Sequence, residues 1–177
     1  MQKNSKFSTR QIAYAAMFIA LGIIVNSLRI GSFLSFGGFP IILSGYALGP
    51  VMGFIIGAIT DVLAYIVRPS ATGGFNPVFI LTSALTGAIP VIVTQMLGDK
   101  YPEFKLWKII VGIVVGQFTT SVFMVPYFIS ILYGKHLFIP SMIKAAIKQS
   151  YSAPLYGLLV KIIFNSLKNK FKLRETA

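Results

Sequence analysis

The chain is predicted to be an all-α integral membrane protein, a bundle of six transmembrane helices with a short second helix and both termini cytoplasmic. Three observations carry that expectation. The 177 residues are 55% hydrophobic and only 11% charged, with a mean hydropathy of +0.79, whereas soluble domains carry roughly a quarter charged residues. Several apolar runs approach the ~20 residues that span a bilayer as a helix. The 16 Lys+Arg against 4 Asp+Glu, a formal +12, fall largely between and beyond those runs, which is a positive-inside pattern and not the basic patch of a nucleic-acid-binding protein. No cysteine is present, so disulfides, thiolate catalysis and zinc-thiolate sites are excluded.

The elements follow in order. The opening MQKNSKFSTRQ resembles the n-region of a signal peptide, but the apolar run from Ile12 continues to Ile30 with no small-residue cleavage site, and reads as an uncleaved first helix. Gly38 to Leu48 is 11 residues, about 16 Å of helix against ~30 Å of hydrocarbon, so it is either a stubby helix or re-entrant. Gly49-Pro50 makes a tight turn into Val51 to Val67, and Pro69 to Pro77 forms an outer loop rich in Gly, Ser and Thr. Val78 to Leu97, Ile109 to Tyr133 and Ser141 to Phe164 complete the set, with Pro90 and Pro126 inside the fourth and fifth. Interior prolines kink helices and are tolerated where neighbours satisfy the freed carbonyls.

Parity comes from the ends. Lys3, Lys6 and Arg10 precede the first helix, and Lys168, Lys170, Lys172 and Arg174 follow the last. Both termini are therefore expected inside, which requires an even number of crossings, and Lys100, Lys105 and Lys108 place the Gly98 to Lys108 connection inside as well. One membrane-embedded domain spans 1–177, with 1–11 a cytoplasmic arm, 12–164 the bundle and 165–177 a basic tail. Gly45, Gly49, Gly53 and Gly57, then Gly112 and Gly116, recur every fourth residue and mark close packing within the bundle.

Polar residues inside apolar segments are the candidates for function. Arg29, Arg68, Lys135, Lys144 and Lys148 remain on the outer half with no acidic residue in the outer loops, an arrangement that either attracts an anion or snorkels to headgroups. Arg binds a carboxylate with two parallel hydrogen bonds and Lys adds a point charge. Lys144 and Lys148 stand one turn apart, and Tyr151 and Ser152 continue their face. Asp61 is the one acidic residue in an apolar segment and continues the glycine stripe; an intramembrane carboxylate is a functional candidate. It either pairs with Arg68 or Arg29, or accepts paired N–H groups from an aminopyrimidine edge such as guanine or pterin. Phe33, Phe36, Phe39, Tyr65, Phe75 and Phe79 cluster toward the outer ends, as an interfacial belt or as cover for a flat heterocycle. HExxH, GxSxG and GxxxxGK[ST] are absent, and the single His136 lies in an outer loop; no enzyme activity, metal or cofactor is expected, and the chain cannot use ATP itself.

The stretch RIGSFLSFGGFPIILSGYALGPVMGFIIGAITD from Arg29 to Asp61, followed by GGFNPVFILTSALTGAIP from Gly73 to Pro90, resembles the substrate-binding S components of energy-coupling factor (ECF) vitamin transporters, and among them the folate type. Ala16 and Ala20 resemble the family's AxxxA motif, which implies docking on a transmembrane T subunit. The resemblance implies a bacterial plasma-membrane protein that captures folate on the extracellular side and works with a T subunit and two ABC ATPases, toppling in the lipid bilayer to deliver it. Folate's pterin, aminobenzoyl group and glutamate match Asp61, the aromatics and the basic cluster in turn. The expected ligand contacts are Arg29, Phe36, Phe39, Asp61, Tyr65, Arg68, Phe75, Asn76, Phe79, Lys148 and Tyr151, with Gly37, Gly38, Gly73 and Gly74 as lid hinges. The alternatives are an S component for another anionic vitamin such as pantothenate, thiamine being disfavoured by the lack of acidic outer groups, or a small channel or structural protein that self-associates through its glycine stripes.

Overall fold

A computed structural model describes residues 9–28, 36–67 and 75–170. Those residues are helical throughout apart from short turns and one isolated bridge, Lys100 with Glu103, and contain no strand. The helices are α1 (Thr9–Leu28), α2 (Phe39–Leu48), α3 (Pro50–Val67), α4 (Pro77–Met96), α5 (Leu106–Gln117), α6 (Val125–Tyr133) and α7 (Phe138–Lys170). A π-helical segment, Phe118–Met124, joins α5 to α6 without a break, and a single 3₁₀ turn, Lys135–Leu137, leads into α7. Among the described residues, four continuous helical stretches are long and apolar enough to cross a membrane: Thr9–Asn26, Pro50–Val67, Pro77–Met96 and Leu106–Tyr133.

The short second segment is a helix, and its position explains its composition. Pro40 through Leu48 are all buried. Its 10 residues are too short to span the hydrocarbon on their own, and their apolar surface packs inside the longer neighbouring helices. Gly49 ends it at φ 102°, a conformation that a side chain resists, and donates its N–H to the Gly45 carbonyl at 2.8 Å. Pro50 then starts α3, where its missing N–H costs nothing.

The glycine stripe packs α3 and α2 on α4. A Cβ on Gly53 would lie 2.5 Å from the Gly87 carbonyl oxygen, one on Gly87 2.2 Å from that of Gly53, and one on Gly45 2.1 Å from that of Gly87. Gly57 meets the Ser83 carbonyl in the same way. The stripe is consumed within the chain, so it offers no surface to a second copy. Outward faces are apolar instead, with Ile12, Leu21, Ile59, Leu81, Ile92 and Ile162 exposed, as a lipid-facing surface requires.

Two expectations need correction. The run from Ile109 to Tyr133 is not one regular helix, because seven residues wind as a π-helix immediately before Pro126. A proline ring collides with the carbonyl four residues earlier, and the wider π turn makes room for it; Val125 donates instead to the Thr120 carbonyl. The last helix starts at Phe138 and runs to Lys170, beyond the apolar limits of Ser141 and Phe164: Pro140 lies in its first turn, where the missing N–H costs nothing, and residues 165–170 are mostly polar and leave no mark in an apolar pattern.

One end of the bundle is packed solid. Phe104, in the turn between α4 and α5, lies edge-on to Tyr46 at 5.3 Å and against Phe164 at 5.5 Å, and Lys161 donates to its carbonyl. The Tyr46 hydroxyl lies 2.7 Å from Thr94 Oγ1, which itself donates to the Pro90 carbonyl at 2.8 Å. Asp99 Oδ2 accepts the Lys105 N–H at 2.5 Å, and Asp99 Oδ1 pairs with Lys108 Nζ at 2.7 Å. The Lys105 N–H, and after it Lys108, hold the Asp99 carboxyl below the usual carboxylate range.

Candidate functional site

The opposite end is hollow. A cavity of about 600 Å³ is lined by the end of α1, the start of α2, the later part of α3, the first half of α4, the α5–π junction and the first half of α7. α1, α3 and α5 contribute their later residues and α2, α4 and α7 their earlier ones, so neighbouring rods run antiparallel and the cavity opens at the end away from the Asp99 turn. Its volume is in the range of a small-molecule site.

Of the residues expected to contact ligand, Asp61, Phe79 and Lys148 line it. Asp61 sits one turn beyond Gly57 on α3, and the close approach of α3 to α4 at Gly57 and Ser83 is what brings Ser83 to it: Ser83 Oγ donates to Asp61 Oδ1 at 2.8 Å. Among the described residues, Asp61 has no ion-pair partner. Lys148 projects from α7 into the same space, so a negative and a positive group share one cavity.

The other expected contacts among the described residues are not in the lining. Phe36 and Phe39 pack on Tyr156, which lines the cavity, with ring centroids 6.1 and 5.9 Å away. Tyr65 and Phe75 pair with each other at 5.2 Å and are not in the lining. Asn76 is the N-cap of α4, its side-chain oxygen accepting from Val78 N at 3.1 Å. Tyr151 is exposed and absent from the lining. Arg29, Arg68, Gly73 and Gly74 lie outside the described residues. Ala16 and Ala20 are both exposed, on α1.

The sequence reading missed a set of neutral polar groups: Asn26, Thr82, Thr86, Gln117, Thr120 and Gln149. Their signal was present, since each is an uncharged polar residue inside an apolar run. A polar group buried without a partner costs free energy, and the hydroxyls among them find theirs along and between the helices. Thr86 Oγ1 reaches the Thr82 carbonyl at 2.8 Å and Thr120 Oγ1 at 3.1 Å, and Ser121 Oγ donates to Gln117 Oε1 at 2.7 Å. The arrangement offers a carboxylate, an ammonium, three carboxamides and aromatic rings to one ligand. Among the described residues there is no metal-binding group of three or more His, Cys, Asp or Glu side chains.

Comparison with known proteins places this geometry. The family described as ECF transporter, substrate-specific component, matches residues 10–169. The folate transporter FolT of Clostridium novyi (strain NT) is 32% identical over 145 residues, which cover 76% of this chain and 78% of that protein. The crystal structure of FolT bound with folic acid superimposes with a TM-score of 0.65 at 22% identity, covering 90% of this chain and 95% of the other.

Proposed function

Because the chain belongs to the family of ECF transporter substrate-specific components, which bind transport substrates and are not enzymes, we propose that it is the folate-capturing member of such a transporter. The observation that carries this reading is the 32% identity to a protein named as a folate transporter over three quarters of the chain. The cavity supports it chemically. Asp61, with Ser83 beside it, suits the paired N–H groups of a pterin edge, and Lys148 suits a glutamate carboxylate. Phe79 and Tyr156 supply apolar cover for the rings between. Arg29 and Arg68 complete the anion site in this proposal.

The whole chain 1–177 acts as one membrane domain in the bacterial plasma membrane, crossing it six times with both termini inside and the cavity facing out. The α7 helix supplies the sixth crossing: 33 residues make about 50 Å of helix, more than a bilayer needs. Inward delivery then falls to a T subunit, docked on the exposed Ala16 and Ala20 of α1, and to two ATPases, as the family implies.

The test is calorimetric titration of the purified chain in detergent with folate, pantothenate and thiamine. Saturable one-to-one binding of folate alone is expected. Binding of pantothenate in its place would keep the architecture and reject the ligand, and binding of none would reject capture.

A further inference from the structure

Gln149 is 7% exposed and lines the cavity, yet its side-chain carbonyl oxygen Oε1 is fully buried without a hydrogen-bond partner among the described residues. Buried polar atoms in native structures are almost always paired, and an exception at a ligand cavity calls for a cause. The neighbouring Gln117 differs: it is 2% exposed and its oxygen receives the Ser121 hydroxyl. On α7, Lys148 precedes Gln149 and supplies the charge, and Gln149 follows with a neutral acceptor that no donor among the described residues fills.

We propose that Gln149 is a specificity determinant of the cavity, its carboxamide turning over about its last torsion as ligand enters, so that the oxygen, enclosed while the site is empty, accepts an N–H group of the bound ligand. The inference rests on the folate reading above, and folate carries N–H groups on its pterin and along its linker. A site built to pair with a ligand N–H discriminates strongly against analogues that lack it, because the acceptor is then left buried and unpaired. In the ligand-free protein the same atom is a liability, so removing it should not harm the fold. Function and stability therefore respond in opposite directions at this residue, a split that a structural glutamine does not produce.

Ser152 provides an internal control. It lies one turn further along α7, is 2% exposed, and its hydroxyl is likewise buried without a partner, but it does not line the cavity. The experiment titrates the full chain in detergent with folate by calorimetry and measures the ligand-free Tm, for the parent, Gln149→Leu, Gln149→Met and Ser152→Ala. Both Gln149 variants are expected to bind folate ten- to a hundredfold more weakly, which is about 1.4 to 2.8 kcal/mol, with an unchanged or higher ligand-free Tm. Ser152→Ala is expected to stay within twofold of the parent. Affinity within threefold of the parent in both Gln149 variants overturns the proposal, and so does a weakened affinity accompanied by a lowered Tm in both, which marks a structural role. A parent that binds no folate overturns the underlying reading of the site; a parent that binds beside unaffected variants overturns the role of Gln149 alone.

Discussion

At the scale of single residues, the cavity is defined by what its walls lack. Asp61 has Ser83 as its hydrogen-bond partner and no cation among the described residues, while Lys148 faces the same space from α7. If these two groups hold opposite ends of an anionic, N–H-rich ligand, each should matter separately. Asp61→Asn is expected to weaken folate binding by about 1.5 to 3 kcal/mol, the worth of a hydrogen bond to a charged group, and Lys148→Met by a similar amount. Parent-like Kd values for either variant, measured by calorimetry, would remove that residue from the site. Asp61, Lys148 and Phe79 were legible because a charge or a ring in an outer apolar segment stands out against its neighbours. Gln117, Gln149 and the threonines were not, since neutral polar residues are common in membrane helices and only the fold shows which of them converge. Phe36, Phe39, Tyr65 and Phe75 are not in the cavity lining, a distinction that a one-dimensional cluster of rings does not carry.

At the scale of elements, the turn between α4 and α5 is tied down by its own side chains. Asp99 joins the N-terminus of α5 to Lys108, and Lys108 also donates to the Leu97 carbonyl at 2.6 Å. The Asp99 carboxyl is held below its ordinary value in the folded chain, so its contribution is present in full above the unfolded carboxylate value of about 3.9 and is lost as pH falls through the lower folded value. Thermal unfolding followed between pH 7 and pH 3 should show the parent losing stability at the acid end. Asp99→Asn should start less stable at pH 7 and show a shallower loss; parallel curves would contradict the assignment. The helices themselves were largely legible, with α2 foreseen as short and the glycines as packing surfaces, because apolar length and small-residue spacing are written directly in the sequence. The π segment was not, because one extra residue per turn leaves no trace in hydropathy, and Pro126 signals a disturbance without specifying its form.

At the scale of the whole molecule, the solid end carries the Asp99 turn and the hollow end carries the site, and the positive-inside reading sets the solid end toward the cytoplasm. The absence of native cysteine makes that orientation directly testable. In intact cells a membrane-impermeant maleimide should label His136→Cys, in the exposed turn before α7, and should label Glu103→Cys only after permeabilisation; the reverse pattern would invert the protein. Folate is proposed to occupy the cavity between α3, α4 and α7. The most direct measurement is a structure of the chain solved with folate. It is expected to show the ligand spanning from Asp61 to Lys148, with Phe79 and Tyr156 against its rings. Folate bound elsewhere, with this cavity empty, would contradict the account.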